Sequence, residues 1–291
     1  MKEKPNKYRF TVIVLTYKTS YDIVRLTIDS IISQKFEGFE LIISEDGSES
    51  DWMEAIENYL QEKNFFDYKI RKNKENLGTV KNYYEALKVA EGKFVKPLGA
   101  GDYFYHDMAI QKMYDFLEEN HYCLGFGRIY AYRKTDNGIE DLGEYYAPNN
   151  LSLYRKNLWK IYSAFDILVL QDWISGVAIF GTRKILIHYV GMLRDISKYS
   201  EDICQIFILG DRKRICFLDD VLVRYEFGTG VSTKKGMNKF KKSLIADVDN
   251  SISVALKKYK HDKLYCFLLK LGQKKNSVAK EIIRKLLSKI E

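Results

Sequence analysis

Val95-Lys96-Pro97-Leu98-Gly99-Ala100-Gly101-Asp102-Tyr103-Phe104 runs from an apolar segment through a Gly-Ala-Gly turn to a single carboxylate. It reads as a buried strand that delivers Asp102 at its end. Glycines at that turn let the backbone take positive φ or approach a ligand closely. Open α/β sheets bind their ligands outside the carboxyl ends of the strands, which is where Asp102 would stand. Gly-Asp is also ordinary turn chemistry, so the flanking sequence has to decide.

Upstream, Tyr8–Tyr17 and Phe39–Ser44 are nearly all apolar at their centres, as for strands buried on both faces, and Tyr68–Arg71 is a weaker strand. Between them lie helical patterns. Ser20 precedes one with Val24, Ile28, Ile31 and Ile32, Trp52, Ala55, Ile56, Tyr59 and Leu60 mark a second, and Thr79 opens a third with Val80, Tyr83, Tyr84 and Leu87. Four strands alternating with helices predict parallel strands joined by right-handed crossovers. Thr16-Tyr17, Glu45-Asp46 and Asp102 then fall at strand ends on one edge of the sheet, and their convergence says more than any one of them.

Downstream, Met108–Leu117 reads as a helix, Gly127–Arg133 with the Asn137-Gly138 turn as a hairpin, and Gly176–Gly181 as a short strand before a helix through Ile185 and His188. The sheet is therefore expected to become mixed. Leu151–Leu170 is aromatic-rich and yields no assignment. Ser200 would cap a helix beginning at Glu201-Asp202, Ile215–Leu218 and Val221–Tyr225 read as two late strands, and Gly228–Thr233 as a loop. Phe240–Tyr259 and Val278–Ile290 have helical periodicity, the second with Lys280, Arg284, Lys285 and Lys289 on its polar face.

With 291 residues, 46% hydrophobic and 30% charged, the chain is globular in composition. Its net charge of +8 is uneven: residues 231–291 carry 16 basic against 5 acidic side chains, and the first 230 carry 31 against 34. A basic tail points to an anionic partner, a membrane surface, a lipid phosphate or a nucleic acid. The sequence shows no nucleic-acid recognition motif, so phosphate contacts there would be non-specific. Cys123, Cys204, Cys216 and Cys266 are widely spaced and form neither a disulfide framework nor a zinc site. His106, His121, His188 and His261 form no useful spacing. No signal-peptide core or spanning apolar run is present, and a cytoplasmic location is expected.

The motifs Val-Leu-Thr16-Tyr17, Ser-Glu45-Asp46-Gly-Ser, Asn76-Leu-Gly78-Thr-Val-Lys81-Asn82, Glu91 to Asp102, Gly176-Val-Ala and Glu201-Asp202 occur in that order. Together they resemble the family 2 inverting glycosyltransferases of the GT-A fold, of the bacterial polysaccharide and glycoconjugate type, over roughly residues 8–232. The resemblance implies a Rossmann-like, mixed but mostly parallel central sheet flanked by helices. A catalytic domain would cover 1–232, with a nucleotide-sugar half to about 104 and an acceptor half beyond. Residues 233–291 would form a basic helical extension.

By the same resemblance, Thr16, Tyr17, Glu45, Asp46, Gly78, Lys81, Gly101 and Asp102 would hold a UDP-sugar. Carboxylates suit this role, since they accept from imide N–H and ribose hydroxyls; the plain alternatives are a polar turn and a solvated helix lysine. Asp102 matches the last acid of the family's Asp-x-Asp motif, which holds Mg²⁺ or Mn²⁺ on the diphosphate. Gly99 and Gly101 stand where acids are common, and the loop after Glu226 lacks the histidine found in relatives. Glu201-Asp202 matches the pair carrying the catalytic base, with Asp202 the first choice; two acids at a helix N-terminus would also suit the dipole. Trp173 and Gly176 would bind the acceptor, a saccharide, lipid-linked saccharide or glycoprotein glycan. The tail would place the enzyme peripherally on the inner face of the membrane. Two alternatives stand beside this: an inactive relative serving as a scaffold subunit, and a membrane-surface binder led by its tail.

Overall fold

The computed structural model describes residues 6–49, 51–120, 124–136, 138–155, 159–230, 233, 238–274 and 278–288. His121, Cys123, Asn137, Val231, Ser232, Lys289 and Ile290, named above, lie outside that set. The first hundred residues form β1 (Tyr8–Thr16), α1 (Tyr21–Ile32), β2 (Phe39–Glu45), α2 (Met53–Glu62), β3 (Tyr68–Lys72), α3 (Thr79–Val89) and β4 (Gly92–Gly99). The strands lie parallel in the order β3-β2-β1-β4.

The central strands are apolar throughout because each face has its own cover. Phe10, Val12 and Val14 pack with Val24 and Ile28 of α1 and Ile56 of α2, while Ile13 and Ile42 pack with Val80 and Tyr83 of α3. Each such side chain contributes roughly 1.5–3 kcal/mol of burial. Register makes the strand ends level, with Thr16 opposite Glu45 and Leu15 opposite Gly99.

The chain continues through β5 (Tyr103–Phe104), α4 (Ala109–Glu119), β6 (Leu124–Thr135), β7 (Gly138–Tyr145), α5 (Leu151–Arg155) and α6 (Trp159–Ala164). A π-helical turn at Phe165–Leu170 and a 3₁₀ turn at Gly176–Ala178 lead into β8 (Ile179–Thr182), α7 (Arg183–Leu193), α8 (Cys204–Gly210) and β9 (Ile215–Glu226). Helices α9 (Asn238–Lys258), α10 (Lys263–Gln273) and α11 (Val278–Ser288) follow. Among the described residues the strands form one nine-stranded sheet, in which β8 runs antiparallel to β4 and β6, and β9 runs parallel to β6. This is the mixed, mostly parallel GT-A architecture.

Four local readings change. The two late strands are one, β9, which absorbs Asp219-Asp220 as a register shift opposite Gly127–Ile129. The described residues of Leu151–Leu170, unassigned from the sequence, form short helical pieces. Lys263–Gln273, given no element from the sequence, is a helix capped by Asp262, whose carboxylate accepts from Tyr265 N at 3.0 Å. Helix α8 begins at Cys204, so Ser200 does not cap it and Glu201-Asp202 occupy the turn before it. The amides of Lys198, Tyr199 and Ser200 are instead taken by Asp247 of α9, at 2.9, 2.7 and 3.2 Å.

The C-terminal helices pack on the sheet domain. Ile252, Ala255, Tyr265, Leu268 and Leu269 share one apolar core with Val95, Leu186 and Phe207. Tyr259 and Tyr265 donate to the carbonyls of Phe207 and Ile206, both at 2.9 Å.

Candidate active site

The level ends of β1, β2 and β4 open into a cleft of about 430 Å³. Thr16, Asp46, Asn82 and Asp102 line it on the strand side; Trp173, Gly176, Glu201 and Asp202 line the opposite side. Leu244 and Val248 of α9 complete the wall, so the extension contributes to the cleft.

On the strand side, Thr16 Oγ1 is buried and has no hydrogen-bond partner among the described residues. Buried hydroxyls normally find one, and this one sits at the wall of a cleft. Tyr17 beside it is 44% exposed and also lines the cleft. Asp46 accepts from Asn73 Nδ2 at 2.8 Å and from the amides of Leu77 and Gly78, both at 2.9 Å. It therefore fixes the loop that enters α3. Gly78 has φ +86°, and a Cβ there would lie 2.5 Å from Lys198 Cγ. Behind this wall, Arg71 bridges Asn73 and Asn82, with Ser44 donating to Asn82 Oδ1 at 2.6 Å.

Four expected ligands do not line the cleft: Gly78 and Gly101, which shape the turns beside it, and Glu45 and Lys81, which stand elsewhere. Glu45 is fully buried, and its carboxylate accepts from the amides of Gly47 at 3.0 Å and Ser48 at 3.0 and 3.1 Å. It shapes the turn and does not line the cleft. Lys81 is exposed and pairs with Asp195 at 3.7 Å, also outside the cleft wall.

Asp102 follows Gly101, which has φ +106° and no room for a side chain, since a Cβ would meet Glu226 Oε2 at 2.5 Å. Asp102 Oδ1 accepts from Glu226 N at 3.0 Å, and burial pushes the carboxyl up to about 7. Glu201 and Asp202 are also pushed up, each chiefly by loss of water and Glu201 further by its neighbour's charge. The Gly176 amide donates to Asp202, and a Cβ at Gly176 would come within 2.1 Å of Glu201 Oε1. Only glycine lets that turn lie against the acidic pair.

Four contributors are not among the expected site residues. Asp247 holds the loop ahead of the acidic pair; its only sequence signal is an acid three residues from Leu244, beside an apolar stripe. Asn82 and Arg71 organise the strand side. Lys96 is fully buried in β4, its ammonium donating to the carbonyls of Pro97 at 2.7 Å and Val177 at 2.5 Å. A lysine inside an apolar strand was the visible signal. Burial pushes it down to about 7, against the attraction of Asp102 and Glu201.

Among the described residues no three His, Cys, Asp or Glu side chains gather to hold a metal ion. Hard divalent cations take about six oxygen ligands. Asp102 suits such an ion as a single oxygen ligand at the cleft, with diphosphate oxygens and water as the remainder.

The glycosyl transferase family 2 profile matches residues 11–172, more than half of the chain and the whole strand side of this cleft. The chain belongs to glycosyltransferase family 2. Curated relatives include an uncharacterized glycosyltransferase of Mycoplasma genitalium, 32% identical over 130 residues, covering 40% of this chain and 43% of that one. An uncharacterized glycosyltransferase of Rickettsia conorii is 23% identical over 244 residues, 84% of this chain and 37% of that one. The chain thus spans less than half the length of these relatives. Similar solved structures include S. aureus TarS 1–349 in complex with UDP-GlcNAc, with TM-score 0.61, 17% identity, and coverage of 90% of this chain and 71% of that one. The mannosyltransferase PcManGT from Pyrobaculum calidifontis, in complex with GDP-Man and Mn²⁺, has TM-score 0.59 and 14% identity, covering 99% of this chain and 83% of that one. At these identities the likeness is one of GT-A fold. No described helix is long and apolar enough to cross a membrane.

Proposed function

We propose that this family 2 member transfers a sugar from a UDP-sugar to an acceptor hydroxyl with inversion at the anomeric carbon. The observation that carries the reading is one cleft with Thr16 and Asp102 on its strand side and Glu201-Asp202 opposite. The resemblance to a solved UDP-GlcNAc complex supports the choice of nucleotide. Thr16 Oγ1 and the loop held by Asp46 receive the nucleoside, and Asp102 faces the diphosphate. A divalent metal bound through Asp102 would neutralise charge on the departing diphosphate.

Asp202 acts as general base. It takes the proton from the acceptor hydroxyl as that oxygen bonds to the anomeric carbon and the bond from that carbon to the diphosphate oxygen breaks, leaving UDP and a glycoside. A carboxylate whose proton affinity is raised by burial is a stronger base than one in water. Glu201 lies against Gly176, and Trp173 offers an apolar face to an acceptor sugar. A membrane-linked saccharide in surface polysaccharide assembly suits a helix α11 that exposes Val278, Ile282 and Leu286 beside Arg284 and Lys285. Vesicle flotation with anionic lipid tests that placement, on the inner face of the cell membrane; no flotation would count against it.

The test is a panel of nucleotide sugars read by thermal shift and by donor hydrolysis, with and without Mn²⁺. One UDP-sugar should stabilise the protein and be turned over, and Asp202→Asn should lose turnover while UDP still binds. Binding without turnover in the wild type would favour the scaffold reading, for which Gly99 and Gly101 in place of acids are the specific support.

A further inference from the structure

A fully buried lysine must be paired or it costs several kcal/mol to keep charged. Lys96 has no carboxylate hydrogen bond among the described residues; its ammonium is held by two carbonyl oxygens, Pro97 O on its own strand and Val177 O on the 3₁₀ turn. The location explains the arrangement. Strand β8 pairs with β4 only at Phe94 and Val95, so beyond that point nothing in the ladder joins β4 to the chain entering β8. Lys96 spans this opening. On one side lies the strand whose end delivers Asp102; on the other, the turn whose Gly176 amide donates to Asp202 and whose backbone abuts Glu201.

We infer that Lys96 is the positioning residue of the cleft, a buried cation that ties the donor-holding strand to the turn supporting the acidic pair. It does so by hydrogen bonding Val177 O, and its charge faces both carboxylate groups at once, acting on Asp102 and on Glu201. It touches neither substrate in this assignment. The inference rests on the transferase reading above, since it assigns Lys96 a part in aligning the base with the donor. Misplacement of a reacting group by about 1 Å costs on the order of 10²-fold in rate.

The test compares full-length wild type, Lys96→Met, Lys96→Arg and Gly176→Ala by nucleotide-sugar hydrolysis and UDP binding. Wild-type turnover is measured first; its absence would sink the transferase reading on its own account. Given turnover, Lys96→Met should lose about 10²-fold in kcat with UDP affinity changed less than about threefold. Lys96→Arg should recover part of the loss. A Lys96→Met enzyme with wild-type kcat, or one whose loss appears entirely as weaker UDP binding, would overturn the assignment. Should the Lys96 variants fail to fold, Gly176→Ala displaces the same turn from Glu201 with Lys96 intact. It should show the same fall in kcat with UDP binding kept, and unchanged turnover there would equally overturn the assignment.

Discussion

Asp247→Ala removes one carboxylate that accepts three consecutive backbone amides, those of Lys198, Tyr199 and Ser200, at 2.7 to 3.2 Å. A hydrogen bond to a charged acceptor has a net value of about 1.5–3 kcal/mol. The three do not add, because they share one acceptor and one loop. Lys198 is exposed, so its amide can turn to water, and the buried Ser200 amide keeps Ser197 Oγ at 3.2 Å as an acceptor, whereas the half-buried Tyr199 amide loses its 2.7 Å bond. The expected destabilisation is therefore about 2 kcal/mol, set chiefly by the Tyr199 amide with partial loss of the other two. Urea unfolding followed by tryptophan fluorescence gives the value as the midpoint shift multiplied by m. Asp247→Asn keeps one oxygen acceptor and should lose only about 1 kcal/mol. The same loop leads directly into Glu201-Asp202, so Asp247→Ala should also lower kcat for donor hydrolysis about 10²-fold. A midpoint shift worth less than about 0.5 kcal/mol, the size of an ordinary surface substitution, together with retained turnover, would refute this reasoning.

Thr16→Val should leave stability within about 0.5 kcal/mol of wild type, because the hydroxyl bonds nothing among the described residues, yet weaken UDP binding by roughly 2–10-fold, measured by titration calorimetry. Gly101→Ala, at φ +106° and 2.5 Å from Glu226 Oε2, should destabilise by about 1–3 kcal/mol in the same urea assay. Stability should fall as pH rises from about 4 to about 8. Buried Asp166, pushed to about 8, and Asp102, pushed to about 7, hold protons that the unfolded chain releases near 4, so each lowers stability by up to ~1.4 kcal/mol per pH unit within its window. Asp166→Asn removes that group's share, and an unchanged slope in its unfolding-versus-pH series would show the carboxyl to be ionised in the fold.

The alternating half of the fold was legible because buried parallel strands and amphipathic helices write themselves as continuous apolar runs and as 3.6-residue spacing. Tyr8–Thr16, Phe39–Glu45 and Gly92–Gly99 stand close to where those runs place them. The positions of Thr16, Asp46 and Asp102 at one cleft could be anticipated too, since strand ends gather on one edge, whereas Asp202 was implied only by the family resemblance. Leu151–Leu170 and the start of α8 were not legible. Their conformations depend on partners far along the chain: Asp172 for the amides of Asn149 and Asn150, and Asp247 for the turn before Cys204. Glu45 and Lys81 illustrate the same limit. Sequence order places both near the nucleotide side, but only the folded chain shows Glu45 turned onto its own loop amides and Lys81 drawn to Asp195. Lys96 stands in an apolar strand, and besides the neighbouring Pro97 carbonyl its partner is the carbonyl of Val177, 81 residues away. Sequence by itself determined the elements and the edge at which they act, because those follow from local burial patterns. Tertiary structure alone decided which polar groups face the cleft and which are spent holding it open, because that depends on hydrogen bonds between residues distant in the chain.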